Sequence, residues 1–170
     1  AITINNLSMR PLWSVEGVER VNNGDFAGGT AGWVGQSGGS IAVTSGQATL
    51  TTTAAQASRF EQSLSVEANA YYLVSMDVIA LTTVTRAAMQ IIRGAAGGYA
   101  SVAFAQRTTP GKLAFVFRAP ATDVMVQVYG DSVNAGSVVV DNVSIRKLPT
   151  ICNPMTLLNV TTERWSEVSV

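Results

Sequence analysis

Histidine is missing from this 170-residue chain, and cysteine occurs once. Without histidine there is no Ser–His–Asp triad, no Cys–His dyad and no His-bearing zinc site. A lone cysteine builds neither a disulfide framework nor a cysteine-rich metal centre. Charge is scarce as well: Asp, Glu, Lys and Arg make up 13% of the residues, against roughly 25% in an average domain. Eleven basic side chains balance eleven acidic ones, with a pI near 6.5. That leaves no electrostatic footprint for nucleic acid or an anionic membrane, and neither is expected as a partner. Long apolar runs are also lacking. The richest stretch, YYLVSMDVIA from Tyr71 to Ala80, carries Asp77 and has the length of a strand. The first residues, AITINNLSMRPLW, do not read as a signal peptide, and Ala1 fits removal of either an initiator Met or an export signal.

Carboxylates are too dispersed to suggest hydrolysis. Asp77, Asp123, Asp131, Glu61 and Glu67 lie on different strands and turns, and no spacing forces two of them across a cleft as glycoside cleavage requires. A non-catalytic protein is therefore expected.

What the chain does contain is a β pattern. Apolar residues make up 47%, enough for a core and too many for a disordered chain. Short runs of Val, Ile, Thr, Phe and Tyr alternate with Gly, Asn, Asp and Pro. Strands are predicted over residues 40–45, 47–52, 58–66, 71–81, 87–93, 99–106, 112–118, 124–129 and 137–146. The Gly94–Gly98 stretch reads as a hairpin tip, and no segment sustains a helical period. Alternation puts Leu113, Phe115 and Phe117 on one face of their strand and Val124, Val126 and Val128 on one face of the next, which reads as a hairpin across residues 120–123. The fold class implied is all-β, an antiparallel sandwich. Residues 1–21 and 148–170 are mixed in pattern and read as N- and C-terminal arms, each carrying a tryptophan, Trp13 or Trp165. An indole needs a surface to cover it, so these two are candidate anchors on neighbouring subunits.

Two distant segments and one between them carry a resemblance. Asn22-Asn23-Gly24-Asp25-Phe26 precedes Gly32-Trp33, Phe115-Val116-Phe117-Arg118-Ala119-Pro120 comes later, and Val140-Asp141-Asn142-Val143-Ser144-Ile145 closes the β region. Together they resemble the family 4/9-type carbohydrate-binding modules over roughly residues 21–147. The resemblance implies a jelly-roll sandwich over residues 22–147 and a glycan held on aromatic rings with amides and carboxylates fixing its hydroxyls. It also implies a structural calcium, for which Asp25 and Asp141 are the candidate ligands. The Glu expected after Phe26 is Ala27 here, so one ligand of that set is gone.

With Phe26, Trp33, Phe115 and Phe117 read as core, the tyrosines Tyr71, Tyr72, Tyr99 and Tyr129 are taken as the platforms for a glycan. Tyr99, Arg118, Gln127 and Tyr129 are the candidate site, with Gln90 and Gln106 as polar companions and the strand of Arg118 placed beside that of Tyr129. Two functions are compatible with this reading. The first is a structural virion protein, a phage capsid decoration or tail component. It would form homo-oligomers, with a trimer as one option, and its arms would dock on capsid or tail proteins. The alternative is a glycan-binding module of a secreted or surface protein, extracellular and bound to surface glycans.

Overall fold

A computed structural model of the chain describes residues 17–53, 58–130 and 134–149. Ten strands form two five-stranded antiparallel sheets packed face to face, the jelly-roll-like sandwich expected from the sequence. They are β1 (Val34–Gln36), β2 (Ser40–Thr44), β3 (Gln47–Thr52), β4 (Arg59–Ser65) and β5 (Tyr71–Thr82), followed by β6 (Ala87–Arg93), β7 (Ser101–Arg107), β8 (Gly111–Arg118), β9 (Asp123–Tyr129) and β10 (Gly136–Lys147). One sheet runs β1-β4-β9-β6-β7 and the other β2-β3-β10-β5-β8. The β6–β7 turn holds a single short 3₁₀ turn, Ala95–Gly97, at the expected hairpin tip.

Alternation explains the packing. In β5, Tyr72, Val74, Met76 and Val78 are buried, and in β9 so are Val124, Val126 and Val128. Phe26, Trp33 and Phe60 form an aromatic cluster in which Phe60 meets both other rings edge-to-face, Trp33 at 5.1 Å and 84°. Phe26 holds a positive φ of 53°, an unfavourable conformation for a bulky residue that this cluster repays by burying its ring.

One expectation is corrected, and two features were not anticipated. β8 and β9 do not form a hairpin: β8 pairs with β5, while β9 pairs with β4 and β6 in the opposite sheet. Each has one apolar face, and such faces can meet across a core as well as lie side by side. β1 was not anticipated, because Val34-Gly35-Gln36 is too short to show alternation. In β10 the inward residues are Val138, Val140, Val143 and Ile145, with Val139 on the other face. Register shifts at Val139/Val140 and Asp141/Ser144, the second around Asn142 at φ 51°, change the parity that simple alternation assumes.

The opening and closing motifs meet. β3 pairs with β10 only as far as Val140, and past it the same edge is taken by the start of the described chain. Glu19 bridges to Arg146, and the Arg20 N–H donates to Ile145 O at 2.9 Å. Glu19 Oε1 accepts from the backbone N–H of Arg20, Val21 and Ile145, at 3.0, 3.0 and 2.8 Å. Its Oε2 accepts from the Ser144 hydroxyl and from Arg146 Nε. Gly24 O then accepts from Val143 N at 2.9 Å. A Cβ on Gly24 would lie 1.9 Å from Val143 O, so this contact requires glycine.

Burial works to raise the Glu19 pKa, but the hydrogen bonds from Ser144, Ile145, Val21 and Arg146 outweigh it and hold the carboxyl below its ordinary 4.5. A depressed folded-state value means the clamp stabilises fully above that ordinary value and is lost as pH falls through the folded one. Glu19→Gln should lower the urea midpoint at neutral pH and flatten its decline on acidification. Parallel midpoint-against-pH curves for the two proteins would contradict the clamp.

Candidate functional site

The outer face of the β1-β4-β9-β6-β7 sheet gathers side chains that are far apart in sequence. Register aligns Val34, Glu61, Gln127, Gln90 and Phe104 in one row across the five strands. The adjacent row is Gln36, Arg59, Tyr129, Ala88 and Gln106, and Ser63, Met125 and Ile92 continue on the other side.

At the centre is Gln127. Although it lies on the outer face, it is only 3% exposed, because its neighbours cover it. Its Nε2 donates to Glu61 Oε2 at 2.6 Å, and its Oε1 accepts from the Tyr129 hydroxyl. Glu61 is also paired with Arg59 Nε at 3.3 Å. Arg59 reaches Ser37 Oγ at 2.7 Å, and its guanidinium carbon stands 5.8 Å from the centroid of the Tyr129 ring. Farther along, Gln90 Nε2 donates to Ser101 Oγ at 2.8 Å, and Arg86 donates to Gln106 Oε1 at 2.9 Å. The amides of Gln127, Gln90 and Gln106 are thus each tied to a neighbour. Two apolar side chains stand clear of this network, Phe104 at 51% and Val34 at 56% exposure.

β4 outlasts its short partner β1, leaving a groove of about 450 Å³ along the sheet margin. Arg20, Val34, Gln36, Ser63, Ser65 and Met125 are among the residues that line it.

Of the site residues expected from sequence, Gln127 and Tyr129 are brought together, and Gln90 and Gln106 share their face. Arg118 is not: it ends β8 in the opposite sheet, opposite Tyr71, with its guanidinium on Asn69. Tyr99 is in the β6–β7 tip at φ 58° and is 59% exposed. Tyr72 is no platform, being fully buried and stacked on Phe117 at 5.5 Å. Trp13 and Trp165 lie outside the described residues. Sequence reading missed Phe104, Arg59 and Glu61 as site residues. Phe104 and Gln106 are two apart in one strand and so share a face, a signal that parity in that strand could have given.

The residues do not fit the implied calcium. Asp25 Oδ1 accepts from Ala27 N at 3.3 Å and Asp141 Oδ1 from Asn142 N at 2.7 Å. The acid beside Asp25 in the nearest hollow is Glu19, whose oxygens are already committed to five donors. Among the described residues no group of three or more His, Cys, Asp or Glu could hold a metal, whereas calcium takes six to eight oxygens.

No family model matches the sequence, and no curated protein matches it. Solved structures do match in fold. A CBM4 module superposes with a TM-score of 0.63 at 15% identity, over 75% of this chain and 99% of that one. The CBM22-1 xylan-binding domain of Paenibacillus barcinonensis Xyn10C gives 0.55 at 20%, over 77% and 95%. The enzymatically active domain of tailspike protein 4 from bacteriophage CBA120 gives 0.57 at 19%, over 76% of this chain and 21% of that one. The chain thus has the sandwich fold of CBM4 and CBM22 modules, and it spans about a fifth of the tailspike chain.

Burial raises the Tyr129 pKa above its ordinary 10.0, with Arg59 working against the rise and Glu61 for it. Alkaline ultraviolet titration should show one tyrosine ionising above the ordinary range, and that step should vanish in Tyr129→Phe. Retention of the high step in the variant, with the missing phenol lost from the ordinary range, would contradict the placement of Tyr129.

Proposed function

We propose that this chain is a non-catalytic glycan-binding module whose ligand lies across the outer face of the β1-β4-β9-β6-β7 sheet. One observation carries the reading: Gln127 is held between Glu61 and Tyr129 in the middle of that face, and an exposed Phe104 ends the same row, with Gln90 between them. A sugar presents hydroxyls around its rim and C–H groups on its faces. Oriented amides, a carboxylate and a guanidinium serve the hydroxyls, and an exposed ring serves the C–H face. Because the network is already bonded internally, little side-chain entropy is lost on binding. The fold shared with the CBM4 module and the xylan-binding CBM22 domain supports the same reading.

Affinity electrophoresis against soluble xylan, mixed-linkage β-glucan and galactan tests it. Retardation by at least one of them should fall about tenfold in affinity, a loss of about 1.4 kcal/mol, in Tyr129→Ala and again in Phe104→Ala. Retardation that both variants retain would sink this face as the site.

A second reading, a structural part of a virion, is supported by the fold likeness to the tailspike domain and by the Trp-bearing terminal segments. In that reading the chain forms a homo-oligomer on a phage capsid or tail and can still hold glycans. Sedimentation of the full chain should then give an oligomer that deleting residues 1–16 or 150–170 dissociates. A monomer before and after deletion would remove this reading.

A further inference from the structure

We propose that the groove beside β4 is an anion subsite, in which Arg20 receives the carboxylate or sulfate of an acidic sugar unit. This rests on the glycan-binding reading and gives it a ligand class.

The charged side chains are unequally engaged. Among the described residues, Glu19 pairs with Arg146, Glu61 with Arg59, Glu67 with Lys147 and Asp77 with Lys112. Arg20 has none of these acids. Its backbone N–H is taken by Glu19 and by Ile145, but no hydrogen bond or ion pair engages its guanidinium among the described residues. Its Nε is buried from solvent without an acceptor. Burying a charged donor without a partner is costly, so the arrangement is poised for an acceptor from outside.

The groove supplies the place for one. Arg20 lines it together with the Asn22 amide, the Ser63 and Ser65 hydroxyls, and the apolar Val34 and Met125. The acid that lines it, Glu61, is already neutralised by Arg59 and bonded by Gln127. Asp123, opposite Ser65, has its carboxylate against Gly94 at the hairpin tip. The uncompensated charge in the groove is therefore one positive guanidinium, whose planar fork matches a carboxylate or a sulfate. Val34 and Glu61 belong both to the groove and to the central row of the outer face, so a chain lying across that face continues directly into the groove. Ser and Asn groups suit the neighbouring hydroxyls.

The test compares polygalacturonate, a sulfated galactan and uncharged galactan on the full chain, by affinity electrophoresis at low and moderate salt. Arg20→Met keeps the apolar stem, and Arg20→Lys keeps the charge. Circular dichroism serves as the control that the clamp, which uses only the Arg20 backbone, is intact. Expected is a preference for one or both acidic polymers over the uncharged galactan, weakened by salt. It should fall about tenfold in Arg20→Met and less in Arg20→Lys, with any binding of the uncharged galactan unchanged. The polymer preferred tells carboxylate from sulfate. Equal binding of acidic and uncharged polymers, or an acid preference that survives in Arg20→Met, overturns the subsite and leaves the glycan-binding reading standing. If none of these polymers, nor xylan or β-glucan, is retained, both fall.

Discussion

The structure hangs on one carboxylate. Glu19 accepts five hydrogen bonds from two chain segments more than a hundred residues apart, and so ties the start of the described chain to β10 where β3 gives out. Three further contacts depend on that anchor: Gly24 against Val143, Asn22 gripped by Gln62, and Phe26 and Trp33 carried into the core beside Phe60. The entry of β1 into its sheet beside β4 comes next, and with it the wall of the groove. Arg20 is the residue after the anchor, and it lines the groove.

Jelly-roll connectivity then decides what shares a surface. The chain steps between sheets from β7 to β8 and again from β8 to β9. Neighbours in sequence therefore part company, and the outer face of one sheet is assembled from five strands scattered between Val34 and Tyr129. Sheet interiors need apolar side chains at alternate positions, and the positions between them are free for other work. On this face they hold glutamines, an ion pair and a tyrosine fixed against one another, the arrangement on which the glycan-binding proposal rests.

Strand existence was legible because β-branched runs and Gly or Pro punctuation are local signals, and nine of the ten described strands show them. The opening and closing motifs were visible as resemblance, and the structure brings them together through the Gly24–Val143 contact. Strand order was not legible. An apolar face on β8 and another on β9 are satisfied equally by adjacency and by opposition, and only the closure of the whole sandwich chooses. That ambiguity placed Arg118 beside Tyr129, whereas Arg59 is the cation that stands there. Gln127 and Tyr129 were found because they share a strand and a parity. Glu61 and Arg59 escaped because their relation to Gln127 is a cross-strand one, set by a register that no local pattern encodes.

A glycan received on the outer face of the β1-β4-β9-β6-β7 sheet is the proposal on which the rest of the functional reading turns. Backbone amide chemical shifts, followed by NMR during titration with soluble oligosaccharides of a retained polymer, put it to the test residue by residue. Saturable shifts should concentrate at Glu61, Gln90, Phe104, Met125, Gln127 and Tyr129, with the β2-β3-β10-β5-β8 sheet unmoved. Shifts confined to that second sheet, or none at saturating oligosaccharide, would contradict it.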